Sequence, residues 1–160
     1  MNFKEIGTKN LRHLFSVLCS SSVLSADTNN LSLNNLIEKF TVQITKEMLE
    51  QKRLENANGY AFPFEFEIIS RFSKKIDDPV AFEIKYEFVN PKGNTIAELP
   101  PNNFGIQKGI KSIRIRSKFS PLPVDDSGEY TIVVLIKEAG EEGFTEVDRI
   151  PLEINLESEE

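Results

Sequence analysis

The pattern of the chain predicts an all-β fold, an antiparallel two-sheet sandwich of about seven to nine strands with one short helical insertion. Three observations carry this. Apolar residues recur at every second position through most of the length, as expected of strands buried on one face. Turn-forming groups punctuate these runs, as in Asp27-Thr28-Asn29-Asn30 and Asn90-Pro91-Lys92-Gly93-Asn94. The aromatic residues are twelve Phe and three Tyr with no Trp, rings that pack well on a pleated surface. The 160 residues suit one core, and the division expected is a flexible arm over 1–12, a single domain over 13–156 and an acidic tail over 157–160.

The elements follow in order. Phe15, Val17, Cys19, Ser21 and Val23 share one parity and form the first strand. After the turn at 27–30 a second run begins at Leu31 and completes a hairpin. Leu31 and Leu33 lie in one phase, Leu36, Val42 and Ile44 in the other. One inserted residue reverses every later side chain, so a bulge is expected near Asn34-Asn35. Residues 45–57 carry Met48, Leu49 and Leu54 among charges before Asn58-Gly59, which predicts the helix and its stop, with a mobile loop as the alternative because the apolar stripe is thin. Strands then run through Phe62–Ile68, Phe82–Phe88 and 95–99, with a break at Pro100-Pro101. Ile113, Ile115 and Phe119 form another, with Arg114, Arg116 and Lys118 on its opposite face. Tyr130–Lys137 is the next, and Ala139-Gly140-Glu141-Glu142-Gly143 turns the chain into two return strands over 144–150 and 152–156.

Asp126-Ser127-Gly128-Glu129-Tyr130 resembles a tyrosine corner, in which a Tyr opening a strand turns its hydroxyl onto upstream backbone between two sheets. Gly128 suits the tight entry and Asp126 an Asx turn. Tyr130, Asp126 and Gly128 are therefore expected to be structural. Further short motifs are Cys19-Ser20-Ser21-Ser22-Val23, Ser32-Leu33 with Asn35 and Glu38, Gly128-Glu129-Tyr130-Thr131 and Arg149-Ile150-Pro151-Leu152. Together they resemble a bacterial family of domains of unknown function with an immunoglobulin-like sandwich, over residues 14–156. Ser20 and Asn35 depart from its pattern, and 45–60 reads as an insertion. The resemblance implies that fold and lends no chemistry.

Catalytic parts are missing from the pattern. His13, the sole histidine, has no Cys or His at ligand spacing and reads as a surface or strand-edge residue. Cys19 reads as a core thiol. No phosphate loop, dinucleotide fingerprint or nucleophile elbow occurs. The expectation is no enzyme, no cofactor, no catalytic residue and no metal site. The acidic pairs Asp77-Asp78, Asp125-Asp126 and Glu141-Glu142 leave a calcium or small-ligand module as the alternative. A net charge of −6 disfavours nucleic acid and anionic membranes. The stretch Lys108, Lys111, Arg114, Arg116 and Lys118 reads as a solvent face whose charge Glu83, Lys85 and Glu87 offset across strands.

A lone cysteine points to the cytoplasm. Residues 1–26 mimic an export signal poorly, since Glu5 interrupts the basic region and serines dilute the apolar run. The informative surplus is apolar. Val133 and Leu135 lie where a half-exposed strand should be polar, and Leu14, Leu18 and Ile69 are likewise out of phase. These five residues form the candidate surface for a protein partner or for self-association, unless the 45–57 helix covers them. The function expected is that of a non-enzymatic protein-interaction or structural module.

Overall fold

A computed structural model describes residues 6–55, 60–62, 65–119 and 122–158. Two sheets face each other. The first has the order β2 (Leu31–Leu36), β1 (Leu11–Leu24), β5 (Phe66–Lys74), β8 (Ser112–Phe119). The second has the order β3 (Lys39–Ile44), β11 (Thr145–Ser158), β10 (Gly128–Glu138), β6 (Val80–Val89), β7 (Thr95–Ile106). A small ribbon pairs β4 (Tyr60–Phe62) with β9 (Leu122–Val124). The chain is a β-sandwich of eleven strands among the described residues, more than the seven to nine expected.

The alternation of β6 sets the core. Phe82, Ile84, Tyr86 and Phe88 are buried, while Glu83, Lys85 and Glu87 face outward. Ile132, Val134 and Ile136 of β10 continue that layer. From the opposite sheet come Leu18, Phe66, Ile68, Phe72 and Ile115. Phe66 and Phe119 stack at 5.2 Å, and Tyr86 and Phe88 of the other sheet meet Phe119 edge-on at 5.2 and 5.7 Å. Aromatic pairs at such separations add roughly 0.5–1.5 kcal/mol each beyond area burial.

Several expectations are corrected. The phase slip after Leu33 is a change of sheet and not a bulge. Cys19↔Leu36 and Ser21↔Asn34 keep one register through Asn35, whose φ of +49° is the left-handed conformation Asn tolerates. The chain then leaves β1 and re-forms as β3 beside β11 in the other sheet. That pairing is parallel, so the sandwich is not wholly antiparallel. Pro100-Pro101 does not end β7. It sits where Tyr86↔Leu99 shifts to Ile84↔Asn102, a bulge on an edge strand that has no need of the missing N–H groups. The two return strands are one, β11, because Pro151 lies ahead of the Glu153–Ser158 segment that pairs with β3. Residues 63–64 of the expected Phe-rich strand lie outside the described residues, which show β4 before them and β5 after.

The expected arm is held in place over residues 6–12. Leu11 and Arg12 already belong to β1. The buried Glu138 carboxylate accepts hydrogen bonds from Thr8 Oγ1, from Asn10 N at 2.6 Å, from Asn10 Nδ2 at 2.9 Å and from Leu11 N at 3.1 Å. Burial alone would raise the pKa of this acid, but the four donors outweigh it and hold it below the usual range. At the other end β11 reaches Ser158, and Gln43 Nε2 donates to Glu157 at 2.6 Å, so the acidic tail begins later than expected. Helix α1 (Lys46–Glu55) falls inside the expected span, but it buries none of its residues and leaves Leu49 and Leu54 exposed. Among the described residues, no helix is long and apolar enough to cross a membrane.

Candidate functional site

The tyrosine corner is present at the entry to β10. Tyr130 Oη lies 2.7 Å from the Asp126 carbonyl and 2.8 Å from Asp125 Oδ1, and the amides of Asp125 and Asp126 each donate to it at 3.2 Å. Burial, then the neighbouring Asp125 carboxylate, pushes the phenol up to about 12. Gly128 has φ +149°, and a Cβ there would sit 2.7 Å from Pro91 Cγ. Lys92 Nζ reaches Asp126 at 2.7 Å, tying the corner to the β6–β7 turn. These residues organise a connection and offer nothing to a ligand.

The five candidate partner residues do not form one surface. Leu18 points into the core between the sheets, because the strand irregularity between His13 and Phe15 sets the phase of β1. The Phe15, Val17, Cys19, Val23 set faces outward instead, with Val23 well exposed. Cys19 stays fully buried on that outer face, and burial and the adjacent Glu67 raise its thiol pKa. Leu14 is 42% exposed and stands apart. Val133 and Leu135 do share the outer face of the second sheet. Their neighbours across the strands are Glu87 and Arg149 for Val133, Lys85 and Glu146 for Leu135. Lys85 pairs with Glu87 at 2.9 Å and Glu98 at 3.2 Å, Lys137 with Glu83 at 2.6 Å. Both lysines lie over the Phe144 ring. Val133 is 4% exposed within the chain itself, which leaves almost none of it as surface. The same pairs refute the expectation that Glu83, Lys85 and Glu87 offset the basic strand β8, which belongs to the other sheet.

His13 is not a surface residue. Its side chain is 6% exposed, with Nε2 2.8 Å from Ser16 Oγ and 3.7 Å from Asp148 Oδ2. Ser16, Ser70, Tyr86 and Ser117 continue a buried polar chain between the sheets at 2.8, 3.5 and 3.2 Å. Burial lowers the imidazole pKa against the pull of Asp148. Both Ser16 and Asp148 address the same ring nitrogen, so this is not the nucleophile–base–acid order of a triad. The acidic pairs stay apart, and among the described residues no group of three or more His, Cys, Asp or Glu could hold a metal ion.

The fifth candidate, Ile69, lies in a feature that draws several strands toward a common space. The end of the β1–β2 hairpin bends over the outer face of β5 and β8, and Arg114 Nη2 donates to the Asn29 carbonyl at 2.5 Å and to Asn29 Oδ1 at 3.2 Å. Asn29, at φ +55°, presents these oxygens from the turn. Between hairpin and sheet is a cleft of about 630 Å³ lined by Leu24, Leu31, Ile69, Arg71, Arg114 and Arg116. Ile69 is buried at its floor. The three guanidinium groups are oriented by neutral acceptors: Arg71 by Ser112 Oγ at 3.3 Å, Arg114 by Asn29, and Arg116 by the Ser22 carbonyl at 3.5 Å. Among the described residues none of the three makes an ion pair.

The register makes this costly. Arg71 and Arg114 are direct cross-strand partners, and Arg116 is opposite Ile69. Like charges directly opposite destabilise a sheet. A guanidinium is fully charged and matches carboxylate or phosphate oxygens in a fork. The cleft therefore has the chemistry to take an anion. Alternation marked Arg114 and Arg116 as outward-facing, but Arg71 was not singled out. Its signal was its parity with Ile69, two residues before it.

No protein-family model matches the chain, and no curated protein does. Among solved structures, the C-terminal domain of wzt is similar, with a TM-score of 0.51 and 12% identity over 95% of this chain and 77% of that one. The cupredoxin domain of amoB from Nitrosocaldus yellowstonii gives 0.46 and 10% over 94% and 90%. A family 123 glycoside hydrolase from Clostridium perfringens gives 0.39 and 12% over 93% of this chain and 28% of that one. At such identities the likeness is one of fold alone, and the fold to which this chain is similar is the β-sandwich.

Proposed function

We propose that this chain is a non-enzymatic binding domain of the cytoplasm, immunoglobulin-like in topology, that captures an anionic group of a partner in the arginine cleft. The immunoglobulin-like reading, and with it the bacterial family resemblance, is supported by the strand orders of the two sheets and by the tyrosine corner between β8 and β10. The cytoplasmic reading rests on a single cysteine. The observation that carries the function is the meeting of three guanidinium groups, none of them in an ion pair among the described residues, in a protein of net charge −6.

Titration with inorganic phosphate and with citrate, followed by amide NMR shifts, tests this. Shifts confined to β8 and the 25–31 turn, and suppressed in an Arg71→Ala/Arg116→Ala double variant, are expected. Shifts spread over the surface and unchanged in the double variant overturn it.

A further inference from the structure

We infer that the cleft receives the acidic side chains of an extended segment of a partner protein, which adds as a strand to the free edge of β8 and carries those acids at alternate positions. This rests on the anion-binding reading above and names the ligand class for that site.

The first observation is positional. β8 ends its sheet, with β5 on one side and, among the described residues, no strand on the other, so half of its main-chain groups face outward from the sheet. An extended chain can pair with such an edge through backbone hydrogen bonds, with specificity supplied by alternate side chains. The second is spacing. Arg114 and Arg116 are two residues apart on one strand and so project to the same face roughly 6.6–6.8 Å apart. Carboxylates two residues apart on an added strand have the same repeat, and that strand would lie about 4.8 Å from β8. Each acid then meets a guanidinium directly across the pair, and the acid opposite Arg114 also relieves its opposition to Arg71. On the other face of β8, Ile113 is only partly buried and Ile115 lies beside it in the core. The residues between the acids are therefore apolar.

The third observation disfavours pairing of β8 with the β8 of a second copy. β8 paired with itself would set Arg and Lys residues of the two strands together, because Arg114, Arg116 and Lys118 are its outward set. Like charges across a strand pair are unfavourable. The edge rejects its own kind and accepts a strand of opposite sign, which is how charged edges prevent aggregation while permitting a chosen partner.

The test uses two eight-residue peptides of one composition. One alternates Glu with Val and Ile; its isomer places the Glu residues side by side. The alternating peptide should bind the full chain at least ten-fold tighter, slow hydrogen exchange at β8 amides that face away from β5, and lose both effects when N-methylated along one edge. Equal affinity for the two isomers, with β8 exchange unchanged, overturns strand addition and leaves the anion cleft standing. Failure of both peptides while phosphate or citrate still shifts β8 does the same. No response to peptides, phosphate or citrate removes the underlying reading as well.

Discussion

The outer faces of the two sheets both carry charges and treat them in different ways. On β6, β10 and β11 every charged group around Val133 has a partner of the other sign: Lys85 between Glu87 and Glu98, Lys137 on Glu83, Arg149 on Glu146. The stems of these groups close over the apolar centre. On β5 and β8 Lys118 pairs with Glu67 at 3.8 Å, but Arg71, Arg114 and Arg116 meet hydroxyl and carbonyl oxygens, two of them are opposed across the strands, and a cleft is left above them. A patterned charge count treats the faces alike. What separates them is whether opposite charges share a register, and that decides which face is finished and which is open to a ligand.

The sharpest way to break this comparison is Val133→Asp. If the second face is closed, the variant buries an unpaired carboxylate and loses about 3 kcal/mol in urea unfolding, with the anion response of the cleft unchanged. Retained stability would show that face to be open. Glu138 gives the next largest effect, because it is a buried charge whose carboxylate takes its four hydrogen bonds from neutral donors, as the cleft arginines give theirs to neutral acceptors. Its folded pKa lies below the unfolded value, so its stabilisation is complete above the ordinary carboxylate range and is lost as pH falls through the folded value. Urea midpoints measured from pH 7 downward should fall in the native chain. E138Q should cost about 1.5–3 kcal/mol at pH 7, flatten that part of the profile and free residues 6–12 to exchange. The smallest effect has the opposite sign. Arg71→Glu turns the opposed pair with Arg114 into an attractive one, raising stability by about 0.2–1 kcal/mol while abolishing the response to phosphate. A loss of stability on that substitution would mean that the arginines are already compensated.

Much of the fold was legible because alternation is a local signal. β6 reads directly from Phe82, Ile84, Tyr86 and Phe88, and the corner from Gly128 and Tyr130. The errors arose where one-dimensional phase has two physical causes. A residue inserted in a strand and a strand that changes sheet both reverse parity, so Leu33 to Val42 was misread as a bulge. In β1 the more apolar set is the outward one, since the core side is partly serine: Ser16 and Ser70 serve the His13–Tyr86 polar chain. The cleft was half legible. Parity turns Arg114 outward, but the contact that makes it a site joins it to Asn29, 85 residues earlier. Nothing local encodes that approach.

The passage from β2 to β3 has a consequence for how the molecule is made. Among the described residues, 39–44 pair with 153–158, so the early strand stays without that neighbour until residue 158 has left the ribosome. Until then β3 and the nascent β10 present bare edges, and such long-range closure is intrinsically slow. A helper that shields Val42 and Ile44 during synthesis would raise the yield of native protein without altering its final stability.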